Sequence, residues 1–183
     1  GHTYPGATAP YGAVQLSPDT RKGNWDACSG YHYSDSTLMG FSHTHLSGTG
    51  CIDLGDILFR PSLQTPLAFS HSDEKASPGY YSVNLREAGV LAELTTTPHV
   101  GIHRYTYKKG IESTLVVDMD HLLDNEYIYE GWVKQTGENE LTGMRRTRGW
   151  VDNQYVFFVA QFSQPFSSME QPSERQAVLT FDT

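Results

Sequence analysis

The sequence predicts an all-β domain built from antiparallel strands, arranged as a sandwich or a barrel. Short segments alternate apolar and polar residues, which is typical of half-buried strands. Turn-forming Gly, Pro, Asn and Asp residues separate these segments, and clear amphipathic helices are absent from the pattern. The 183 residues, 38% hydrophobic and 19% charged, fit one globular domain with a real core.

Nine segments in the C-terminal two thirds of the chain are candidate strands. The alternation is plainest at 81–85 and 91–94. Minor helical turns are expected near 120–124 and 168–175. The candidate strands cover residues 56–60, 79–85, 90–96, 100–107, 113–118, 127–134, 140–146, 155–162 and 177–181. Many short strands at close spacing favour an antiparallel sandwich or barrel.

Residues 1–56 have a different character from the rest of the chain. They hold nine of the seventeen Gly and four of the eight His residues, and only short strand-like pieces such as 13–16 and 38–41 interrupt the turns. Loops of this length are uncommon in compact domains, and they often carry function. We therefore expect long N-terminal loops that hold the functional residues.

The charge and composition exclude several partners. The net charge of −8 argues against binding to nucleic acid, which needs a basic surface. The only basic run, Arg145, Arg146 and Arg148, is interpreted as a solvated strand face. No window approaches the roughly 20 apolar residues of a membrane span. Cys28 and Cys51 either pair or remain free.

The most unusual stretch is residues 23–35, GNWDACSGYHYSD. It places the indole of Trp25, the carboxylate of Asp26 and the thiol of Cys28 close together in sequence. Flat apolar sugar faces stack on aromatic rings, and sugar hydroxyls need acceptors such as a carboxylate. A carbohydrate-binding loop is one interpretation, and an ordinary loop anchored by its Trp is the other.

His43 and His45 form a second candidate group. If residues 41–45 are extended, the two imidazoles project to one face, as residues two apart in a strand do. Such a pair can ligate zinc or copper, but the sequence shows no motif that supplies the further ligands. The alternatives are histidines that are hydrogen-bonded within a loop-packed core and histidines that form the wall of a sugar pocket.

Carboxylates are the remaining candidates for chemistry. Asp53 and Asp56 have the oxygen ligands that calcium prefers, although their spacing differs from an EF-hand, and a structural role at a turn is expected for at least one. The sequence has neither a Gly-x-Ser-x-Gly elbow nor a phosphate loop. Spacing selects no catalytic pair among the acidic residues Asp19, Asp26, Asp35, Asp53, Asp56 and Asp73.

Several strings of the sequence resemble one known family, the family 92 glycoside hydrolases. They are residues 4–12 (YPGATAPYG), 15–20 (QLSPDT), 28–33 (CSGYHY), 40–50 (GFSHTHLSGTG), 53–58 (DLGDIL) and 69–81 (FSHSDEKASPGYY). The match is dense over about the first 110 residues, and the remainder matches by strand pattern alone.

The resemblance implies an antiparallel β-supersandwich of the galactose mutarotase-like kind. It also implies an inverting, calcium-dependent exo-α-mannosidase, acting on α-1,2-linked mannose of N-glycans or mannan, in a bacterial periplasm or outside the cell. In that family a C-terminal (α/α)6 barrel supplies the catalytic acid and base and most calcium ligands. By the same resemblance Trp25, Asp26 and Cys28 are expected to line the mannose subsite, with His43 and His45 on the same wall or at the seam between the domains.

Residues 1–183 are therefore expected to be an N-terminal β-sandwich domain, cut at both ends and lacking the barrel. We expect them to be catalytically inactive alone, with no catalytic residue and no metal site of their own. Two alternatives remain open: a non-catalytic carbohydrate-binding module, and a structural domain that only braces the barrel.

Overall fold

The computed structural model describes residues 1–23, 25–124 and 126–182, and it confirms an all-β, antiparallel architecture. The described residues form sixteen strands and two short 3-10 helices, Trp25–Ala27 and His71–Asp73. The strands are β1 (Ala7–Thr8), β2 (Gln15–Asp19), β3 (Thr37–Leu38), β4 (Gly40–Ser42), β5 (Leu58–Arg60), β6 (Leu67–Ala68), β7 (Glu74–Ser77), β8 (Tyr80–Leu85), β9 (Val90–Thr96), β10 (Gly101–Tyr107), β11 (Ser113–Asp118), β12 (Tyr127–Gly137), β13 (Glu140–Arg148), β14 (Gln154–Gln161), β15 (Ser168–Ser173) and β16 (Gln176–Phe181).

The strands form one large sheet and three smaller ones. The large sheet has the order β1-β2-β4-β5-β11-β16-β15, and the others are β10-β9-β8-β7, β12-β13-β14 and β3-β6. Hairpins build the two middle-sized sheets, whereas the large sheet joins β5 to the distant β11, with Phe59 opposite Val117. The large sheet is therefore the element that brings the N-terminal loops and the C-terminal half together.

Two apolar clusters lie between the sheets. The first joins the N-terminal half of the large sheet to the four-stranded sheet through residues such as Leu16, Phe41 and Leu94. The second joins the C-terminal half of the large sheet to the three-stranded sheet through residues such as Val117 and Leu141. Burial of these apolar faces supplies the main driving force for the sandwich.

The predicted strands are found close to their expected positions. The bounds of β9 and β11 coincide with the predictions, and the other seven differ by one to three residues at an end. The prediction of helical turns was wrong at both places. Residues 168–173 form β15, because Met169 pairs opposite Leu179 and packs on the second core, and residues 120–124 form bends without a helix.

The interpretation of the basic run as a solvated face was wrong for Arg145. The side chains of β13 alternate, and Leu141 points into the second core. Arg145 lies four positions further and so projects to the same inner side, where it is 1% exposed. Arg146 and Arg148 have the more accessible positions that the sequence predicted.

Two further points from the sequence concern the state of the cysteines and the search for a membrane span. Cys28 is buried, Cys51 is exposed, and both are unpaired thiols. Across the described residues, the search for a helix with the length and apolarity of a membrane span finds none.

Candidate functional site

Three N-terminal loops converge at Trp25. The 3-10 helix Trp25–Ala27 presents its indole to solvent with 63% of the side chain exposed, and Asp26 beside it is also exposed. The ring lies over Gly50, where an added Cβ would be 3.0 Å from the indole Cη2. The imidazole of His2 packs edge-on against the same ring, with 5.4 Å between centroids. We call His2, Trp25, Asp26 and Gly50 the Trp25 cluster.

Cys28 lies beneath this cluster. It is only 1% exposed, and its Sγ is 3.3 Å from Nδ1 of His2. The backbone N–H of Gly48 donates to the carbonyl oxygen of His2 at 2.6 Å, which ties the third loop to the first. Of the three residues expected to line a subsite in this region, Trp25 and Asp26 are at the surface and Cys28 supports them from below.

A buried polar network lies below the loops. Asp19, at the end of β2, is fully buried, and its two carboxylate oxygens contact different histidines. Oδ1 is 2.6 Å from Nε2 of His45, and Oδ2 is 2.8 Å from Nε2 of His121. His45 and His121 are 3% and 2% exposed, so the whole network is shielded from water.

The hydrogen bonds of His45 fix where its protons lie. Nδ1 is 2.7 Å from the carbonyl oxygen of Gln15, which only accepts, so Nδ1 carries a proton. Burial opposes the charge of Asp19, but the charge of His45 and hydrogen bonds from both histidines outweigh it and lower the pKa of the Asp19 carboxyl. Both ring nitrogens of His45 therefore face buried acceptors, the carbonyl oxygen of Gln15 and the carboxylate of Asp19.

Gly30 connects this network to the surface loops. Its φ is +81°, and a Cβ on it would lie 2.6 Å from Oδ1 of Asp19. The carbonyl oxygen of Gly30 accepts from the N–H of Thr20 at 2.7 Å. Only glycine meets both the backbone conformation and the close approach at this position. The loop that carries Trp25, Asp26 and Cys28 therefore rests on the Asp19–His45 pair.

His43 and His45 are hydrogen-bonded within the loop-packed core, as one of the alternatives predicted, and they do not form a pair on one strand face. β4 ends at Ser42, and the two rings have different partners. His43 donates from Nδ1 to the carbonyl oxygen of Ile57 at 2.6 Å, and its Nε2 is 3.0 Å from Nε2 of His103. The extended geometry assumed for 41–45 ends because residues 43–46 turn into the loop.

A directed chain of hydrogen bonds follows from these contacts. Because Nδ1 of His43 donates, its Nε2 accepts from His103, and Nδ1 of His103 accepts from the Tyr105 hydroxyl at 2.8 Å. Burial lowers the pKa of His43 to about 4, and burial together with the charge of His43 lowers that of His103 well below its usual value. Both imidazoles are neutral near pH 7, and each ring nitrogen already has a protein partner. Neither offers a lone pair to a metal in this arrangement.

Asp53 and Asp56 also have protein partners. Asp53 accepts from the backbone N–H groups of Leu54 and Trp150, both at 2.9 Å. Asp56 pairs with the buried Arg145 at 2.5 Å and accepts from Thr44 at 2.6 Å. The structural role expected for at least one of them is confirmed for both. Among the described residues no group of three or more His, Cys, Asp or Glu side chains is arranged to hold a metal ion.

The sequence reasoning missed several residues of this region. His2, His103, His121 and Arg145 were not singled out, because their partners are distant in the chain. His121 lies 102 positions from Asp19, and Arg145 lies 89 positions from Asp56. The one available signal was a charged residue at an inward position of β13, since an Arg on the apolar side of a strand is rarely buried without a partner.

Comparison with known proteins decides the family. The protein-family model described as "Glycosyl hydrolase family 92 N-terminal domain" matches residues 1–180 of this chain. This chain belongs to that family. The resemblance found in the sequence is thereby confirmed, and the family 92 domain can be compared with solved relatives.

Solved family 92 structures superpose over the whole domain. An α-mannosidase from Bacteroides thetaiotaomicron, solved in complex with mannoimidazole, is 34% identical with a TM-score of 0.91; the match covers 100% of this chain and 29% of that one. Another family 92 glycosyl hydrolase is 27% identical with a TM-score of 0.82, covering 100% and 28%. The family 92 domain thus spans less than a third of each of these chains.

A curated relative extends the comparison to a fungus. An uncharacterized secreted glycosidase of Arthroderma benhamiae is 28% identical over 146 residues, which are 68% of this chain and 19% of the relative. The family's homologues are glycoside hydrolases, and α-mannosidases are among them.

Proposed function

We propose that the family 92 domain is the N-terminal part of a secreted or periplasmic exo-α-mannosidase and that the Trp25 cluster forms one wall of its mannose pocket. The observation that carries this proposal is the exposure of Trp25 beside Asp26. A large indole with 63% of its surface in water, held rigidly by Gly50 and His2, is pre-arranged to stack on a sugar ring. Family membership and the mannoimidazole complex of the 34% identical relative support mannose as the sugar.

Asp26 has the chemistry to select among sugars. It follows Trp25 in the same 3-10 helix and is exposed, and a carboxylate can accept a hydrogen bond from a hydroxyl of a bound pyranose. The cluster is also fixed from below, because the Gly30 loop rests on the Asp19–His45 pair. A pre-organised wall reduces the ordering cost of binding. We propose that Trp25 and Asp26 contact the terminal, α-1,2-linked mannose of N-glycans or mannan.

Proton transfer is assigned to polypeptide outside residues 1–183. Inverting glycosidases use two carboxyl groups about 6.5–9.5 Å apart, one as acid and one as base. Asp19, Asp53 and Asp56 have their oxygens committed to protein partners, and they lie outside the exposed Trp25 cluster. In the part of the chain that the structure describes, no group of three or more His, Cys, Asp or Glu side chains is arranged to hold a metal ion, and we propose that a calcium ion is bound mainly by the remainder of the enzyme. Residues 1–183 alone are then inactive.

The proposal is tested by Trp25→Ala in the full-length gene product. With α-1,2-mannobiose as substrate, loss of the stacking contact is expected to lower kcat/KM by about tenfold or more, since 1.4 kcal/mol corresponds to tenfold. Trp150→Ala is the matched control, because Trp150 is also a Trp and is 64% exposed in the loop after β13. That variant is expected to keep its kcat/KM.

Thermal unfolding of both variants separates a binding role from a structural one. If Trp25→Ala retains its Tm, kcat and KM, the domain only braces the barrel and the proposal is wrong. If residues 1–183 hydrolyse mannobiose by themselves, the proposed division of labour is wrong.

A further inference from the structure

One face of the β12-β13-β14 sheet carries exposed aromatic and aliphatic side chains, with the charged Glu130, Lys134 and Arg146 on its β12-β13 part. Tyr155, Phe157 and Val159 alternate along β14 and are 52%, 70% and 66% exposed. Tyr129 on β12 is 43% exposed, and Arg146 lies between it and Tyr155, with its Cζ 4.6 Å and 5.4 Å from the two ring centroids. We call Tyr129, Tyr155, Phe157 and Val159 the outer face.

The strand register explains why these residues share one side. Val156, Phe158 and Ala160 pack against the second core, so the residues between them project outward. Phe157 lies opposite Met144, which in turn lies opposite Trp132, so a row of apolar side chains crosses all three strands, with Met144 covered at 7% exposure. Monomeric proteins rarely leave a contiguous apolar surface of this kind uncovered.

The same sheet also has an open edge. Within the described residues β14 pairs with β13 alone, so one side of its backbone presents unpaired N–H and C=O groups over eight residues. A long apolar edge strand exposed to water is prone to aggregation, and natural proteins cover or charge such edges. β14 carries no charged residue between Gln154 and Gln161.

The chemistry of the outer face favours polypeptide over sugar as its occupant. Phe157 and Val159, its most exposed members, offer no hydrogen bonds to hydroxyl groups, and an open strand edge matches a peptide backbone. The solved family 92 relatives carry about 70% of their chain beyond the part that this domain covers, so such a polypeptide is present in the family.

We propose that the outer face and the open edge of β14 are the docking surface for the part of the family 92 polypeptide that lies outside this domain. The inference rests on family membership and on the sheet geometry, and it does not depend on the proposed role of the Trp25 cluster. It predicts that Phe157 and Val159 are buried in the full-length gene product.

Thiol labelling of the full-length gene product tests the docking surface. Cys51 is exposed, so it is first replaced by Ser; Cys28 is buried and stays. Val159→Cys is then compared with Ile102→Cys, whose position is 47% exposed on β10, an edge strand of the four-stranded sheet. With N-ethylmaleimide, the thiol at 159 is expected to react about 100-fold more slowly than the thiol at 102, because it needs local opening. Phe157→Cys provides a second variant if Val159→Cys fails to fold.

Three results would overturn the proposal. Labelling rates at 159 and 102 within a few-fold of each other would show that the outer face is free. Protection that disappears on dilution of the protein would assign the face to a second copy. Protection that arises only when soluble mannan is added would assign it to glycan. None of these results involves turnover, so the outcome is separate from that of the Trp25→Ala experiment.

Discussion

The Nε2 of His121 lies 2.8 Å from Oδ2 of Asp19, and this contact joins the segment that follows β11 to the end of β2 in the interior of the domain. Oδ1 of the same carboxylate pairs with His45, so one buried Asp fixes two segments that are distant in sequence. The loop bearing Trp25 lies directly above it through Gly30. The geometry of the candidate pocket wall therefore depends on a buried pair that no substrate touches.

Replacing Asp19 by Asn is expected to destabilise the domain strongly. The variant removes the buried carboxylate on which His45 and His121 converge, and removing one partner of a buried pair costs about 3–5 kcal/mol. Urea unfolding followed by tryptophan fluorescence measures the change. Asp152→Asn is the control, because Asp152 is 86% exposed and pairs only with the exposed Arg148. Equal stability of the two variants would contradict the interpretation of Asp19.

Arg145 and Asp56 form a second buried pair, which can be tested independently of Asp19. Arg145→Met is expected to lose about 3–5 kcal/mol, because the buried Asp56 loses its guanidinium partner and keeps only Thr44 and Gln154. Arg148→Met, three residues further on the same strand and 60% exposed, is expected to unfold like the wild type. Adding Asp56→Leu to Arg145→Met is expected to restore part of the lost free energy, since the apolar pair removes the orphan charge. No recovery in the double variant would show that Asp56 matters mainly through Thr44 and Gln154.

Two glycines with similar backbone angles should respond differently to alanine. Gly79 has φ +75° and open space where a Cβ would lie, so Gly79→Ala is expected to cost about 1–2 kcal/mol from the left-handed conformation alone. Gly30→Ala carries the same backbone cost and also places its Cβ 2.6 Å from Oδ1 of Asp19. Its Tm is therefore expected to fall clearly further than that of Gly79→Ala. A Tm equal to that of Gly79→Ala would show that the Asp19 carboxylate moves freely.

The stability of the domain is expected to fall on acidification between about pH 6.5 and pH 4. Burial lowers the pKa of His43 from 6.5 to about 4 in the folded state. His103, whose pKa is also lowered, has the same sign, whereas Glu126, whose pKa burial raises to about 8, has the opposite sign. Because the two histidines outnumber Glu126, the unfolded chain binds more protons in this window, and the free energy of unfolding falls as acid is added. Urea titrations at several pH values measure the slope.

His43→Gln removes one of these contributions and is expected to reduce the slope in the same pH window. His99→Gln, at an exposed position, serves as the control and should reproduce the wild-type slope. A wild-type slope in the His43→Gln variant would contradict a lowered pKa of His43.

The strand pattern is the part of the fold that local sequence predicts well. Alternation in segments such as Val90–Thr96 reflects a sheet with one face in the core, so period and boundaries follow from the residues themselves. The prediction of a helical turn at residues 168–173 was wrong because these residues form a strand by pairing with β16. Their own, mostly polar, side chains do not indicate that pairing. Tertiary pairing overrides local preference at such positions.

The sequence by itself determined the all-β class, the family, and the concentration of polar and aromatic side chains such as Trp25 and Asp26 in the N-terminal loops. Those features depend on residue types and on spacings of a few positions. Only the tertiary structure decided that Cys28 lies beneath the surface, that His43 and His45 have separate partners, and that Asp19 and Asp56 pair with His121 and Arg145. These contacts join residues up to 102 positions apart. They are needed because a polar or charged group that is buried away from water costs free energy unless it has a hydrogen-bonding partner, and the fold determines which residue is close enough to be that partner.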